Sequence, residues 1–194
     1  SVNKYWSEKR KELDFGTSGV EPSAHEKIGG SSSHRQAELL SKAGFVTAFF
    51  GDSDRVTNPT FTELNRIGVE VFVWPDSLCT EQRICLDIPL DGLKEMMSLA
   101  IEFKNPNEIL QSVNQKLSDQ EKHINELSDL WNVGDEKQIR NILGETFSTC
   151  CCFKKDNHSI RLGEVLVKYL DDMIETPTYK TLNQLIEWTH EQSN

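Results

Sequence analysis

Two short apolar segments with a helical segment between them constrain the fold of this chain more than any other feature of its sequence. Residues 45–50 and 69–74 are rich in β-branched and aromatic side chains, which is typical of buried strands. Residues 59–67 carry apolar side chains three positions apart, and Gly68 marks the end of that helix. A strand, a helix and a second strand within about 30 residues form a βαβ unit, so the sequence predicts a small parallel sheet.

Three residues, Asp52-Ser53-Asp54, directly follow the first predicted strand and form what we call the acidic turn. In open α/β sheets, ligands bind beyond the carboxyl ends of the strands, which is where this turn is predicted to lie. Two neighbouring carboxylates repel each other, and a proton or a cation has to offset that repulsion. One interpretation is a divalent cation, Mg²⁺ or Mn²⁺, held by Asp52 and Asp54, because hard ions prefer oxygen ligands. An exposed turn is the other, because Asp and Ser also favour turns.

The rest of the chain carries helical patterns, with no convincing strand after residue 80. Apolar side chains at three- and four-residue steps predict one long amphipathic helix over residues 107–131. Further helices are predicted over residues 1–13, 34–43, 93–103, 137–147, 160–175 and 179–191, and a short strand near residues 24–28. The predicted fold class is α/β, with a small Rossmann-like parallel sheet and flanking helices, followed by a helical C-terminal half. We place an α/β unit in residues 1–104 and a helical region in residues 105–194.

The charge and the apolar content of the chain exclude some classes of protein. Its net charge is -10 with no block rich in Lys or Arg, which argues against a protein that grips nucleic acid chiefly by neutralising phosphates. A nuclease that reaches phosphate through bound metal ions stays open. No apolar stretch approaches the length of a membrane span, and residues 1–6 lack the apolar core of a signal peptide. We therefore expect a cytoplasmic protein with no membrane partner.

The five cysteines favour reduced thiols over a disulfide framework, because their number is odd and their spacing contains no CxxC pair. Cys150, Cys151 and Cys152 are consecutive, and adjacent side chains do not converge as zinc ligands do. We expect these three residues to be small buried side chains.

Segments spread along the chain resemble the Toprim domain, and more specifically the Toprim half of ATP-dependent endonucleases of the OLD (overcoming lysogenization defect) type. Residues 44–54, which end in the acidic turn, resemble the DxD strand of that family. Later segments resemble the family in the same order: residues 71–74 with Thr80-Glu81 downstream, residues 87–102, and Phe153-Lys154 before Leu162-Gly163-Glu164. Together these matches cover roughly residues 30–190.

The resemblance implies metal-assisted cleavage of phosphodiester bonds, with a role for each matched residue. Asp52, Asp54 and Glu81 would hold Mg²⁺ or Mn²⁺, and Glu81 would complete a second metal position or act as general base. Lys154 would stabilise charge on the phosphoryl oxygens in the transition state. The family also implies DNA as substrate, an ATPase domain or subunit as partner, a homo-oligomer, and a role in anti-phage defence.

Departures from the family pattern imply a fragment or a degenerate relative of such a nuclease. We expect the family's first-strand Glu upstream of Ser1, and the ATPase domain with its phosphate-binding loop outside this sequence. Gln82 follows Glu81 where related sequences often have a second acid, and Cys152 precedes the aromatic-Lys motif in place of a tryptophan-like residue. Whether the chain cuts DNA alone is therefore open.

Two other functional classes stay open. The acidic turn also suits the nucleophile loop of haloacid-dehalogenase-like phosphatases. That family needs a downstream acidic pair, and Asp171-Asp172 lies in a predicted helix, which is the wrong place for one. The other class is a non-catalytic Toprim-like interaction module, whose helical half docks an ATPase or a dimer partner.

Four charged residues also have ordinary structural interpretations. Glu81 suits the first turn of a helix, where an acid is favourable, and Lys154 suits an exposed basic pair with its neighbour. We expect Asp76 to form a turn and Arg55 to make a surface ion pair.

Overall fold

The chain divides into two units. The computed structural model describes residues 31–118 and 121–192. The strand unit contains described residues 31–79 and 179–192, and the helical unit contains described residues 80–178. Residues 104 and 105, between which we placed a boundary, both lie within the helical unit. The helix predicted over residues 1–13 and the strand predicted near residues 24–28 lie outside the described residues.

The strand unit contains the predicted βαβ arrangement. Its elements are α1 (Ser31–Lys42), β1 (Thr47–Gly51), α2 (Phe61–Arg66), β2 (Val69–Val73) and the part of α8 (Pro177–Glu191) from residue 179 onward. The two strands are parallel, and their register pairs Thr47 with Val69 and Gly51 with Val73. A small core in this unit takes residues from α1, β1, α2 and β2: Ala37, Phe49, Leu64, Val69 and Val71.

The first strand begins two residues later than predicted. Phe45 and Val46 are apolar but lie outside β1, with 64% and 71% of their surface exposed. The N–H of Phe45 donates to the carbonyl of Leu40 over 3.1 Å, and Gly44 has the left-handed φ of 90° that such a helix end requires. Phe45 therefore closes α1 instead of pairing in the sheet.

His34 is a buried polar residue of the strand unit. Its Nδ1 nitrogen lies 3.1 Å from the carbonyl oxygen of Pro59, so the ring N–H donates there. The ring centroid lies 4.2 Å from that of Phe49 and 5.0 Å from that of Phe61. Burial among these groups lowers the pKa of His34 below its ordinary value, and the hydrogen bond to Pro59 opposes this only in part.

We expect the free energy of unfolding to fall as the pH is lowered through 6.5, the ordinary pKa of histidine. The unfolded chain takes up the proton first, because the folded pKa of His34 lies below that value. Urea unfolding at a series of pH values measures the slope. His34→Gln, which keeps a donor for Pro59, should reduce this slope. Equal slopes in wild type and His34→Gln would contradict the assignment.

The helical unit contains no strand among its described residues, as predicted. Its helices are α3 (Thr80–Asp87), α4 (Leu90–Phe103), α5 (Pro106–Ser118), α6 (Glu136–Thr149) and α7 (Asp156–Tyr169). Short 3-10 helices cover Leu127–Asn132 and Leu170–Met173. The segment predicted as one helix over residues 160–175 is thus divided between α7 and the second of these.

The single long helix predicted over residues 107–131 is wrong. α5 ends at Ser118. Glu121 has a left-handed φ of 58°, and the N–H of Lys122 donates to the carbonyl of Leu117 over 3.1 Å. This arrangement closes a helix end, although Glu121 stands where glycine is usual.

Asn114 explains why the chain turns back instead of continuing as a helix. Its amide group bonds Ile124 twice, donating to the carbonyl and accepting from the N–H, each at 2.9 Å. Ile124 and Leu130 are both buried, and both belong to the segment that follows this bend. The predicted helical spacing continued from Ile124 to Leu127 and Trp131, but these last two residues are only half-buried.

α3 and α6 pack closely where α6 carries a glycine. A Cβ atom on Gly144 would lie 2.8 Å from the Cα atom of Gln82, which is closer than real contacts allow. Arg140, one turn earlier on α6, donates to the carbonyls of Cys85 and Ile88 over 2.7 and 2.6 Å. These bonds join α6 to the backbone at the carboxyl end of α3. The contact fixes α3, the helix that carries Glu81.

Candidate functional site

The acidic turn lies at the carboxyl end of β1, in the strand unit, as predicted. Asp52 is half-buried, and the side chain of Asp54 is 28% exposed. Arg55 lies with its Nε 3.8 Å from Oδ2 of Asp54 and is 83% exposed, so the predicted surface ion pair is confirmed. The turn therefore carries two carboxylates, and the exposed guanidinium of Arg55 lies beside the carboxylate of Asp54.

Ser53 joins the acidic turn to the segment that leaves β2. Its hydroxyl donates to the carbonyl of Trp74 over 2.5 Å, and its N–H donates to the carbonyl of Leu78 over 3.2 Å. Trp74 is buried and packs edge-on against Phe50, with ring centroids 5.1 Å apart. The middle residue of the acidic turn is thus held at both its side chain and its backbone.

The segment after β2 is itself a tight turn. It forms one 3-10 turn at Pro75–Ser77, in which Asp76 and Ser77 have left-handed φ values of 67° and 55°. The prediction that Asp76 forms a turn is confirmed. This turn lies between Trp74 and Leu78, the two residues that accept hydrogen bonds from Ser53.

Glu81 and Lys154, the two residues singled out by the resemblance outside the acidic turn, contact each other within the helical unit. Glu81 lies in the first turn of α3, and its side chain is only 3% exposed. The Nζ of Lys154 lies 3.0 Å from one carboxylate oxygen and 3.3 Å from the other, with half of the lysine side chain exposed. Lys154 is therefore more than an exposed basic residue, because it compensates a buried carboxylate.

The end of α6 carries Lys154 to this position. The N–H of Cys152 donates to the carbonyl of Phe147 over 3.0 Å and that of Cys151 to Ser148 over 3.1 Å, which is the Schellman arrangement. Phe153 then packs between aromatic rings, with its centroid 5.5 Å from Phe147. The lysine follows this anchored phenylalanine directly.

The expectation that all three consecutive cysteines are buried is wrong. Cys152 is buried, Cys150 is half-buried and Cys151 is exposed. Cys151 occupies the left-handed position of the helix end, with φ 50°, and this conformation turns it out of the core. Burial raises the pKa of the Cys152 thiol to about 12, so this thiol stays protonated at neutral pH.

Cys151→Gly should raise the free energy of unfolding by up to about 1 kcal/mol, because glycine adopts the left-handed conformation without the Cβ clash. Cys150→Gly is a matched control, since Cys150 has an ordinary helical φ of -78° and glycine there should destabilise. Urea unfolding of both variants measures the difference. Equal changes in the two variants would contradict the role of Cys151 at the helix end.

Sequence reasoning missed two residues near these groups. His158 is buried with its ring stacked on Phe103 at 3.9 Å, and its Nδ1–H donates to the carbonyl of Cys152 over 3.0 Å. The sequence does not single out His158, because a separation of six residues from Cys152 is not typical of any site. Ser53 was recognised only as part of a turn, although its hydroxyl could have been expected to bond a neighbouring backbone.

The acidic turn can be tested as a metal site by its donors. Among residues 31–118 and 121–192, no three His, Cys, Asp or Glu side chains are grouped so that they could hold a metal ion. Two carboxylates from one turn nevertheless suit Mg²⁺ or Mn²⁺, because Mg²⁺ is commonly bound by one or two carboxylates with water and substrate phosphate completing its shell. The donors of Asp52 and Asp54 fit such a site. The role of Glu81 as a further ligand stays a prediction.

Comparisons of the chain with models of protein families, with curated proteins and with solved structures found no match. In the part of the chain that the structure describes, no helix is both long enough and apolar enough to cross a membrane.

Proposed function

We propose that this chain is a metal-dependent, phosphodiester-cleaving domain similar to the Toprim part of an OLD-type ATP-dependent DNA endonuclease. The observation that carries the proposal is the acidic turn at the carboxyl end of a strand in a parallel sheet, the usual position for ligands in α/β folds. Asp52 and Asp54 would hold Mg²⁺ or Mn²⁺. When bound, such an ion polarises a phosphate oxygen and lowers the pKa of a coordinated water.

In this reaction, the chain's own residues would bind and orient the substrate and neutralise its charge. Lys154 would stabilise negative charge on phosphoryl oxygens, and Glu81 would serve as general base or further ligand. Each of these two groups now lies against the other, with both carboxylate oxygens within 3.3 Å of the ammonium. The Glu81–Lys154 pair therefore has to open, at least in part, before Lys154 reaches a substrate.

The acidic composition bears on the partners that this function would need. A net charge of -10 makes strong DNA binding by the chain's own surface unfavourable. DNA would be held through the metal site and through an ATPase domain or subunit, in a homo-oligomer. Nuclease activity would then be greater in the assembly than in this chain alone.

Calorimetric titration of the chain with Mg²⁺ and with Mn²⁺ tests the proposal. We expect binding in the wild type and its loss in Asp52→Asn/Asp54→Asn. The double variant Asp91→Asn/Glu108→Gln removes two exposed carboxylates from the helical unit, changes the net charge equally and should bind as the wild type does. Absence of binding by the wild type at millimolar metal would contradict the proposal for this chain.

A non-catalytic interaction module is the second candidate, and the Glu81–Lys154 pair favours it. An ion pair that joins the end of α6 to α3 and compensates the buried carboxylate of Glu81 explains both residues without any substrate. This candidate predicts no metal binding, together with association of the intact chain with itself or with an ATPase partner. Sedimentation velocity of the sample used for calorimetry measures the self-association. The phosphatase alternative has less support, because Asp171-Asp172 lies in the 3-10 helix Leu170–Met173, which is the wrong place for its acidic pair.

A further inference from the structure

Two hydrogen bonds hold Ser53, the middle residue of the acidic turn. Its hydroxyl donates to Trp74 over 2.5 Å and its N–H to Leu78 over 3.2 Å, so two bonds cross from the end of β1 to the segment after β2. Both acceptors flank the tight turn Pro75–Ser77. The middle of the acidic turn is therefore hydrogen-bonded to a second segment of backbone, the one that follows β2.

The acceptor side of these bonds is firmly held. Trp74 is 2% exposed, its ring packs on Phe50, and its own N–H lies 3.4 Å from the carbonyl of Gly51. Pro75, with its fixed φ, follows directly. A hydroxyl that bonds to this carbonyl restricts the backbone of the acidic turn far more than a bond to a mobile loop would.

We infer that Ser53 is a positioning residue, which holds Asp52 and Asp54 in one arrangement so that their carboxylates bind a divalent cation together. This inference rests on the proposed metal function. Residues that orient metal ligands without touching the metal typically change metal affinity by about 10–100-fold when they are removed. Ser53 would act on both carboxylates through the backbone of the turn, because its hydroxyl and N–H bond the carbonyls of Trp74 and Leu78.

Ser53→Ala should therefore weaken Mn²⁺ binding by about tenfold or more, as measured by calorimetry on the full chain. Ser53→Thr keeps the hydroxyl and should bind within about threefold of the wild type. Ser41→Ala is the matched control, since the Ser41 hydroxyl donates to the carbonyl of Ile67 over 2.6 Å in the same unit but away from the turn. It should leave the dissociation constant unchanged. Equal Mn²⁺ affinity in Ser53→Ala and the wild type would overturn the inference.

Amide hydrogen exchange without metal separates this inference from the proposed function. If the wild type binds no Mn²⁺, the proposed function fails for this chain, and the exchange rates at residues 52–54 decide whether Ser53 orders the turn. Faster exchange there in Ser53→Ala than in Ser41→Ala supports that positioning. Equal exchange in the two variants overturns it, whatever the metal result.

Discussion

Gly144→Val should lower the free energy of unfolding by about 3 kcal/mol, the largest effect that we expect from a single substitution in this chain. The Cβ atom would lie 2.8 Å from the Cα atom of Gln82, and backbone cannot move aside as a flexible side chain can. Gly144→Ala should cost about 1–2 kcal/mol for the same reason. In an unobstructed helix interior, alanine would instead stabilise by about 1 kcal/mol relative to glycine.

Urea unfolding followed by far-UV circular dichroism measures both changes. Asn141→Ala is the control, because Asn141 lies on an exposed position of the same helix and alanine there should be neutral or slightly stabilising. Gly144→Ala as stable as the wild type would show that α3 and α6 are further apart than described. Since α3 carries Glu81, the same variants should also disturb the Glu81–Lys154 pair.

Lys154→Met should lower the free energy of unfolding by about 1–3 kcal/mol. Breaking a buried ion pair costs about 3–5 kcal/mol when the remaining charge is left uncompensated. Glu81 is 3% exposed, but Lys154 is 50% exposed, so water already screens the pair and the smaller range applies. Unfolding in urea, with midpoints and slopes compared across variants, gives the value.

A double-mutant cycle identifies the partner. Glu81→Gln combined with Lys154→Met should be less destabilised than the sum of the single variants, by about 1 kcal/mol. Lys155→Met removes the adjacent exposed lysine and should change stability by no more than about 0.5 kcal/mol. Additive effects, or equal effects of the two lysine variants, would argue against an energetically important pair.

The sheet was the part of the fold most readily predicted from the sequence. Residues 45–50 and 69–74 are mostly apolar and rich in β-branched and aromatic side chains, as strands commonly are. The start of β1 could not be placed, because Phe45 is as apolar as a strand residue. Phe45 lies outside β1 because its N–H donates to the carbonyl of Leu40. The apolar pattern of the sequence gives no sign of that bond.

The bend after α5 could not be predicted from the sequence, for a related reason. No Gly or Pro interrupts residues 107–131, and their apolar spacing suits a continuous helix. The chain bends because Asn114 bonds the backbone ten residues later, and a side chain with ordinary helical neighbours gives no sign of that. Helical periodicity therefore indicated part of the buried set, including Leu117 and Ile124, but it indicated neither the burial of Leu130 nor the number of elements that carry these residues.

The candidate site was likewise predictable in part: the sequence indicated its residues but not the contacts between them. The position of the acidic turn after a strand followed directly from the sequence. The Glu81–Lys154 contact joins residues 73 positions apart, so it depends on how α3 packs against the end of α6. The resemblance named both residues, but their mutual pairing, which changes what each has to do before it can act, came from the structure.

Because the cysteines differ in burial, their reactivity can be used to follow unfolding of the chain. Cys151 is exposed, whereas Cys79 is buried in the strand unit and Cys85 and Cys152 are buried in the helical unit. Alkylating reagents attack thiolates that they can reach, so Cys151 should be modified in the folded protein and the buried thiols only after local or global opening. Mass spectrometry after brief alkylation at increasing urea concentrations would thus report, without any mutation, whether the two units open together or one before the other.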